Sequence, residues 1–497
     1  MPEETTEEKT TEQELSLEEG YKDRAQMIWD LGGVNKIVSQ VQDEYELCYK
    51  FIQPKIDEWL LRLTIYNNQK RAKDKVGDPL LFTTFQTLLA SLYEDMLISE
   101  FLPREEGDTA FADNWQSAAE YDFEEMKKRQ IDYEWDWDAM FFGRGILLFD
   151  EFDRKRMVPR PQVIDPCTFL RDPVAVAING DAYGNNACRF WGREIGKSTS
   201  ELEAMDKFYF NLSYLRAGRE LRALLEKMRR ERRAAQGLAD LVDENVDENK
   251  FYDLLEWYTH FGGEKYLVTL GNARTKLIRI KKLNKEEWPA IDRPLFPTAH
   301  DWDGVSVPDL VEDKQRARSV LANLGLDSAK SDLYPMYLFA EERITNRSDL
   351  DFGLNKFVRV KGEGPVSGVI EPMNKPLVHT HTGWIMELLD TSAQRALATP
   401  EMQQGVTSKE RRTATELSLV SQKIDTRYSL AQRIFGWSET KFWQKWYGLY
   451  KDHFTDGIDA KIIRISGVWG PGFRTMKRKD FIGSSDPDIK IESKVVS

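Results

Sequence analysis

Histidine and cysteine are scarce in this chain, five and three in 497 residues. Cys48, Cys167 and Cys188 are scattered and odd in number, which excludes a disulfide framework or a thiolate metal site and points to a reducing compartment. Five histidines leave little room for a Ser-His-Asp or Cys-His catalytic arrangement, and chain order singles out none. His379 and His381 stand one residue apart, as do Asp301 and Asp303, but no third or fourth ligand follows at a recognised spacing. They are expected to be loop or cap residues, with no metal and no cofactor. No run approaches the roughly 18 consecutive apolar residues of a membrane span, and the first residues are acidic where a secretory leader is basic, so a cytosolic origin is expected. Net positive charge is missing too. Lys and Arg number 70 against 83 Asp and Glu, a net charge of −13, which argues against an open basic surface that grips nucleic acid by neutralising phosphates.

What is present is enough apolar residue, 41%, for a sizeable core in two to four compact units. Residues 1–19, rich in Glu and Thr, read as an acidic flexible tail. Residues 20–130 read as mostly helical scaffold, with Phe82, Phe85, Leu88, Leu89, Leu92 and Leu97 marking a well-buried helix. A strand is predicted over Gly145–Phe152, with turns at Ile164-Asp165-Pro166 and Arg171-Asp172-Pro173. Residues 211–240 read as an exposed helix whose basic run, Lys227 to Arg233, is balanced by acids beyond it. Strands at Phe251–Tyr258, Lys265–Leu270 and Lys276–Lys282, separated by Gly262-Gly263 and Gly271-Asn272, predict an antiparallel sheet.

Residues 304–454 hold the strongest pattern. Val307, Leu310, Val311, Ala317, Leu321 and Leu324 draw one stripe on a helix that Pro308 can open and Gly325 can stop. Short strands and turns are expected next, among Phe357, Val358, Val360, Val369 and Ile370 and several glycines and prolines. A second helix is predicted from about Leu377 to Ala398, with Ile385, Leu388 and Leu389 on one side, stopped by Pro400. Thr399–Arg412 has almost nothing to bury and is expected to be an exposed loop. Thr413 and Glu416 form a capping box for a long helix reaching Phe454, with a bend near Gly436.

That order, helix, strand-rich insert, helix, exposed loop, long helix, resembles the stem, clip, second stem helix, tunnel loop and wing helix of tailed-bacteriophage portal proteins, the head-to-tail connectors, of podovirus-like type. Gly304-Val305-Ser306-Val307-Pro308-Asp309-Leu310-Val311 resembles the opening of a portal stem, Thr413-Ala414-Thr415-Glu416 the start of the helix after the tunnel loop, and Gly143-Arg144-Gly145-Ile146-Leu147 a wing strand. The resemblance covers roughly residues 60–455. It implies an α+β portal-type fold, with a wing of helices and antiparallel strands (20–303), a two-helix stem (304–325 and 377–398) and a strand-containing clip (326–376). The tunnel loop would be 399–412, the long wing helix 413–455, and C-terminal wing strands 456–497, with a short or absent crown.

The function it implies is a non-enzymatic ring at one capsid vertex, a dodecamer in the family, through which double-stranded DNA is packaged and ejected. The same resemblance implies docking of terminase and then of the head-to-tail adaptor, contacts with major capsid and scaffolding proteins, no membrane partner, and a place in the virion after assembly in the host cytoplasm. On this reading Gln403, Gln404, Thr407, Ser408, Lys409 and Arg411 face DNA in the channel. Val307, Leu310, Val311, Leu321, Ile385 and Leu388 form inter-subunit stem contacts, and Phe357, Val358, Val360, Val369 and Ile370 the clip. An acidic chain also suits a passage along which DNA slides without sticking.

The alternative is a nucleotide-driven, terminase-like packaging ATPase. Gly192-Arg193-Glu194-Ile195-Gly196-Lys197-Ser198-Thr199 is close to a phosphate-binding loop, and Ile146 to Glu151 mimics an apolar strand ending in Asp-Glu. The loop has three residues between its glycines where four are needed, and the Asp-Glu strand precedes it instead of following. A strand and helix start are therefore expected there. The rings of Phe442, Trp443, Trp446, Tyr447, Tyr450 and Phe454 have helical spacing and are expected to pack in the core or between subunits.

Overall fold

The computed structural model describes residues 24–67, 76–105, 108–180, 184–204, 209–215, 251–333, 337–339, 341–343, 360–363, 370–372, 379–397, 414–455, 459–467, 470–483 and 486–495. The fold is α+β, helices against antiparallel sheets, as expected. α1 (Val34–Tyr66) opens it, and Ile37, Val41, Tyr45, Cys48, Ile52, Ile56, Leu60 and Leu63, at steps of three or four, are all buried on one face. α2 (Leu80–Glu94) packs Phe85, Leu88, Leu89 and Leu92 inward, while Phe82 is exposed. The helix then ends sooner than its apolar pattern suggests. Asp95–Leu102 is a strand, β1, so Leu97 belongs to a sheet and not to the helix.

α3 (Thr109–Glu125) and α4 (Lys128–Phe142) lead into β2 (Arg144–Asp153), β3 (Val158–Ile164) and β4 (Phe169–Arg171). β5 (Trp191–Ser198), the short α5 (Thr199–Ala204), β6 (Phe251–Phe261), β7 (Glu264–Gly271), β8 (Lys276–Leu283) and β9 (Ala290–Pro294) follow. β4 to β8 form a five-stranded antiparallel sheet in chain order, and β3-β2-β9 a second sheet. The predicted hairpins of 251–283 are borne out, and the basic run expected at 227–233 lies outside the described residues.

α6 (Val307–Leu333), β10 (Tyr337–Phe339), β11 (Ile370–Pro372), α7 (His379–Leu397) and α8 (Ala414–His453) come next. α6 runs through Gly325 instead of stopping there. No Cβ contact constrains that glycine, and Asp327, Ser328 and Lys330 simply continue the helix in polar surroundings. β12 (Ala460–Gly467) and β13 (Gly470–Lys477) form a hairpin, and after the short α9 (Arg478–Phe481), β14 (Asp488–Val495) pairs antiparallel with β1.

Two main cores result. One joins α1, α2, the end of α4, the five-stranded sheet, the base of α6 and the Ala431–Phe435 turn of α8. The other is aromatic, gathering Trp115, Trp135, Phe149 and Phe101 around Phe442, Trp443, Trp446, Tyr447 and Tyr450 of α8 and Phe454 just after it. The α8 rings are thus core residues.

Candidate functional site

The α6–α7 pair carries the expected stem, and its entrance is built by two glycines. Gly143 ends α4 with φ 85, and a Cβ there would lie 2.6 Å from the Gly304 carbonyl oxygen; one on Gly304 would lie 2.8 Å from that of Gly143. Only glycine at both places lets the α4–β2 corner touch the chain entering α6. Ser306 then caps the helix, its backbone N–H and hydroxyl both donating to Asp309 at 2.7 Å.

One face of α6 is fastened to α1 and to the chain that opens α2. Val307 and Val311 are fully buried in the chain's own core. Arg62 of α1 meets Asp309 at 2.6 Å and Glu312 at 3.0 Å. Further along, Gln315 donates to the Ile65 carbonyl at 3.0 Å and accepts the Leu81 N–H at 2.7 Å. Ser319 accepts the Asp78 N–H at 3.2 Å, and Asn323 both accepts from and donates to the backbone of Val76 at 2.9 Å. Gln315, Ser319 and Asn323 recur every four residues, so one polar stripe satisfies backbone groups that a hydrocarbon stripe would leave unpaired. Arg318 links Asp78, at 2.6 Å, to Asp390 of α7.

Away from these contacts the pair leaves several large apolar side chains uncovered. Val320 is 57% exposed, Leu324 51%, Trp384 63% and Leu388 52%. This divides the predicted inter-subunit set. Val307 and Val311 are corrected to intramolecular core, because fully buried side chains have no area left for a neighbour. Leu310 is partly buried against the same core, Leu321 and Ile385 are half-buried, and Leu388 is open. Trp384 and Val320 were not anticipated, although each sits one helical turn from a residue that was.

In the insert, β10 pairs with β11 and sets Ile370 opposite Phe339, while Val360 is half-buried. Phe357, Val358 and Val369 lie outside the described residues, as do Gln403, Gln404, Thr407, Ser408, Lys409, Arg411 and the capping Thr413.

The half of α8 beyond residue 430 is anchored by two buried charge clusters. In the first, Lys128 lies 2.5 Å from Asp132 and 2.9 Å from Glu439, while Arg293 of β9 binds Asp136 and, at 2.8 Å, Glu439. Arg293 also lies over the Trp135 ring, 3.6 Å from its centroid. Three carboxylates share two cations here. Burial pushes the Asp132 carboxyl up to about 6 against the pull of Lys128, whereas Lys128 and Arg293 outweigh burial at Glu439 and hold it below its ordinary value. In the second cluster Asp122 accepts from Lys461, from the Tyr450 hydroxyl at 2.6 Å and from Trp446 Nε1 at 2.9 Å. Burial raises Asp122 and lowers Lys461. No local motif reveals these clusters, because their members come from segments hundreds of residues apart.

The nucleotide-binding alternative fails on geometry. Gly192 to Ser198 lie within β5, paired residue by residue with β6 from Trp257 to Phe251, so this segment is a ladder strand and not a loop free to wrap a phosphate. A Cβ on Gly192 would strike the Trp257 ring, and Lys197 donates to the Tyr209 hydroxyl at 3.0 Å. Asp150 and Glu151 sit in a different sheet. Asp303 is occupied by Lys55 and lies 3.6 Å from Arg171. Among the described residues no helix is long and apolar enough to cross a membrane.

Two solved structures resemble the chain in outline. The virion of a native gene transfer agent particle contains a chain 8% identical, with 78% of this chain and 81% of that one covered and a TM-score of 0.38. The neck of an empty gene transfer agent particle contains one 7% identical, with 75% and 78% covered and again a TM-score of 0.38. No curated protein matches in sequence. The family model described as the phage SU10 portal protein matches residues 150–472, a span running from the end of β2 through α6, α7 and α8 to β13. With more than half of its length matched by that model, the chain belongs to the phage SU10 portal protein family and is a viral portal protein.

Proposed function

We propose that copies of this chain close into a ring at one capsid vertex, a dodecamer by family resemblance, with double-stranded DNA passing along the axis during packaging and ejection. The observation that carries this reading is the set of large apolar side chains that the α6–α7 pair leaves uncovered. Four large side chains at least half exposed, Val320, Leu324, Trp384 and Leu388, stand on a helix pair whose α6 is already fastened to α1 and to the chain that opens α2. Large apolar side chains left in water in this number point to an interaction, and a cyclic neighbour relation covers them on every copy at once.

On this reading Leu310, Leu321, Ile385 and Leu388 contribute the contact between subunits, with Trp384 as its largest element. The segment Gln403–Lys409 and Arg411 lines the channel, where short polar side chains meet phosphate without reading sequence. The insert containing Val360 and Ile370, with Phe357, Val358 and Val369, docks terminase and later the head-to-tail adaptor. The chain itself is a conduit and a platform, not a catalyst, and it works in the virion after assembly in the host cytoplasm with capsid and scaffolding proteins.

Native mass spectrometry with negative-stain imaging of the purified protein tests the reading. Rings of about a dozen copies with a central hole are the expected result; a particle that stays monomeric even beside capsid and scaffolding proteins would refute it. Deleting residues 403–409 should leave ring mass unchanged while altering DNA retention in filled particles. Unchanged retention would remove the channel assignment alone.

A further inference from the structure

The acidic composition conceals one surface of opposite sign. Between β2 and β3, Asp153 turns the chain by accepting the backbone N–H groups of Lys155 at 2.9 Å and Arg156 at 3.2 Å. Arg154, Lys155 and Arg156 are consequently held out in solvent, with no ion pair among the described residues.

The turn is continuous with the outer end of α8. Phe152 stacks on His453, ring centroids 5.2 Å apart. The neighbouring Asp452 pairs with Lys285 at 2.9 Å, Lys281 reaches Asp150 at 3.5 Å, and Lys445 pairs with Glu287 at 2.5 Å. Lys265 spends its ammonium on the backbone carbonyl of Glu286. Lys441, one helical turn before Lys445, is exposed and has no ion pair among the described residues. These cations, from four separate parts of the chain, outnumber Asp150, Glu286, Glu287 and Asp452 about two to one, while Asp153 is taken up by its own turn and by Arg160. The excess is felt locally: burial and then the positive charge of Arg154, Lys285 and Lys281 hold the His453 ring below its ordinary value, and burial with Lys285 and Lys441 does the same to Lys445.

We propose that this surface, formed by the β2–β3 turn, the β8–β9 connection and the outer end of α8, binds duplex DNA through its phosphates, outside the channel. The proposal rests on the portal reading, which supplies DNA next to the ring. The net charge of the chain does not oppose it, since charges farther away than about 8 Å are largely screened at physiological ionic strength. A protein partner fits less well, because Trp437, one helical turn before Lys441, is the one large apolar side chain these segments expose, too little to anchor an interface. Lysine ammoniums and an arginine turn are point charges on flexible stems, suited to a uniform phosphate backbone and not to a base sequence.

A covalently closed circular duplex cannot thread a closed ring, so its binding reports on the outside alone. Wild-type rings at physiological ionic strength should bind a relaxed closed circle. The variant Arg154→Gln, Lys155→Gln, Arg156→Gln, Lys441→Gln, with ring mass unchanged, should bind it at least about tenfold more weakly, and the slope of log K against log salt should become shallower by about 0.9 for each phosphate no longer neutralised. No binding of circles by wild-type rings, or equal binding by the variant, would overturn the proposal. So would displacement of the circle by a polyglutamate peptide at lower charge concentration than by free duplex, which would reassign the surface to an acidic protein. Linear duplex of the same sequence separates the two levels. Rings that retain linear DNA but not circles keep the portal reading and lose this one; failure to form rings at all sinks both.

Discussion

The outer half of α8 and the α6–α7 pair are both long amphipathic helices, yet they treat their apolar residues oppositely. From Ala431 to His453, α8 buries Phe442, Trp443, Trp446, Tyr447 and Tyr450 almost completely, with Phe454 just beyond it, seats Glu439 in a paired charge cluster and leaves one large side chain, Trp437, in water. The α6–α7 pair buries Val307, Val311 and Ala393 at its base but leaves Trp384 and Leu388 in water. A chain able to enclose so many rings in one place has the means to cover four more side chains. On the proposed ring, that difference separates what a single copy completes from what a neighbour completes.

Breaking the α8 side of this comparison should have the largest effect. Arg293→Ala leaves Asp136 and Glu439 buried with a missing partner, and a loss of about 3–5 kcal/mol is expected in denaturant unfolding. Next is pH. Because the folded state lifts Asp132 to about 6 from an ordinary carboxylate value, the folded chain binds this proton more tightly than the unfolded chain does. The resulting stabilisation is fully present below the unfolded pKa and is lost as pH rises through about 6. Relative to Asp132→Asn, wild type should therefore lose on the order of 2 kcal/mol between about pH 4 and 7. Equal pH profiles for the two proteins would dissolve the cluster argument.

Gln315→Ala tests the fastening of α6. It strands the Leu81 N–H and the Ile65 carbonyl, and should cost about 1–3 kcal/mol. The smallest effect on the single copy sharpens the contrast most. Trp384→Ser with Leu388→Ser should change monomer unfolding by no more than about 0.5 kcal/mol, as for ordinary surface positions, while weakening ring assembly in native mass spectra. A large loss of monomer stability would mean that these residues serve the fold.

The helices were readable where burial is one-sided, because period 3.6 survives in the sequence of α1, α7 and α8. Two boundaries were not. Gly325 resembles a stop, but a glycine costs only about 1 kcal/mol inside a helix. The strand containing Leu97 is decided by pairing with residues 488–495, which no local window contains. Val307 and Val311 carried a correct stripe but not its partner: periodicity shows that a face is buried, not whether the cover is the same chain. The charge clusters and the basic surface were illegible for a related reason. Lys128 and Glu439, or Arg154 and Lys441, acquire meaning only once topology brings them together.

The β1–β14 pairing has a consequence for synthesis. Asp95 waits for Val495, and Trp115 waits for the Phe481 carbonyl, to which its Nε1 donates at 2.6 Å. The aromatic core therefore cannot finish folding until β14 has left the ribosome, although most of its parts emerge earlier. In the proposed ring, copies cut short before residue 488 would lack the strand that closes the aromatic core and should join growing rings poorly.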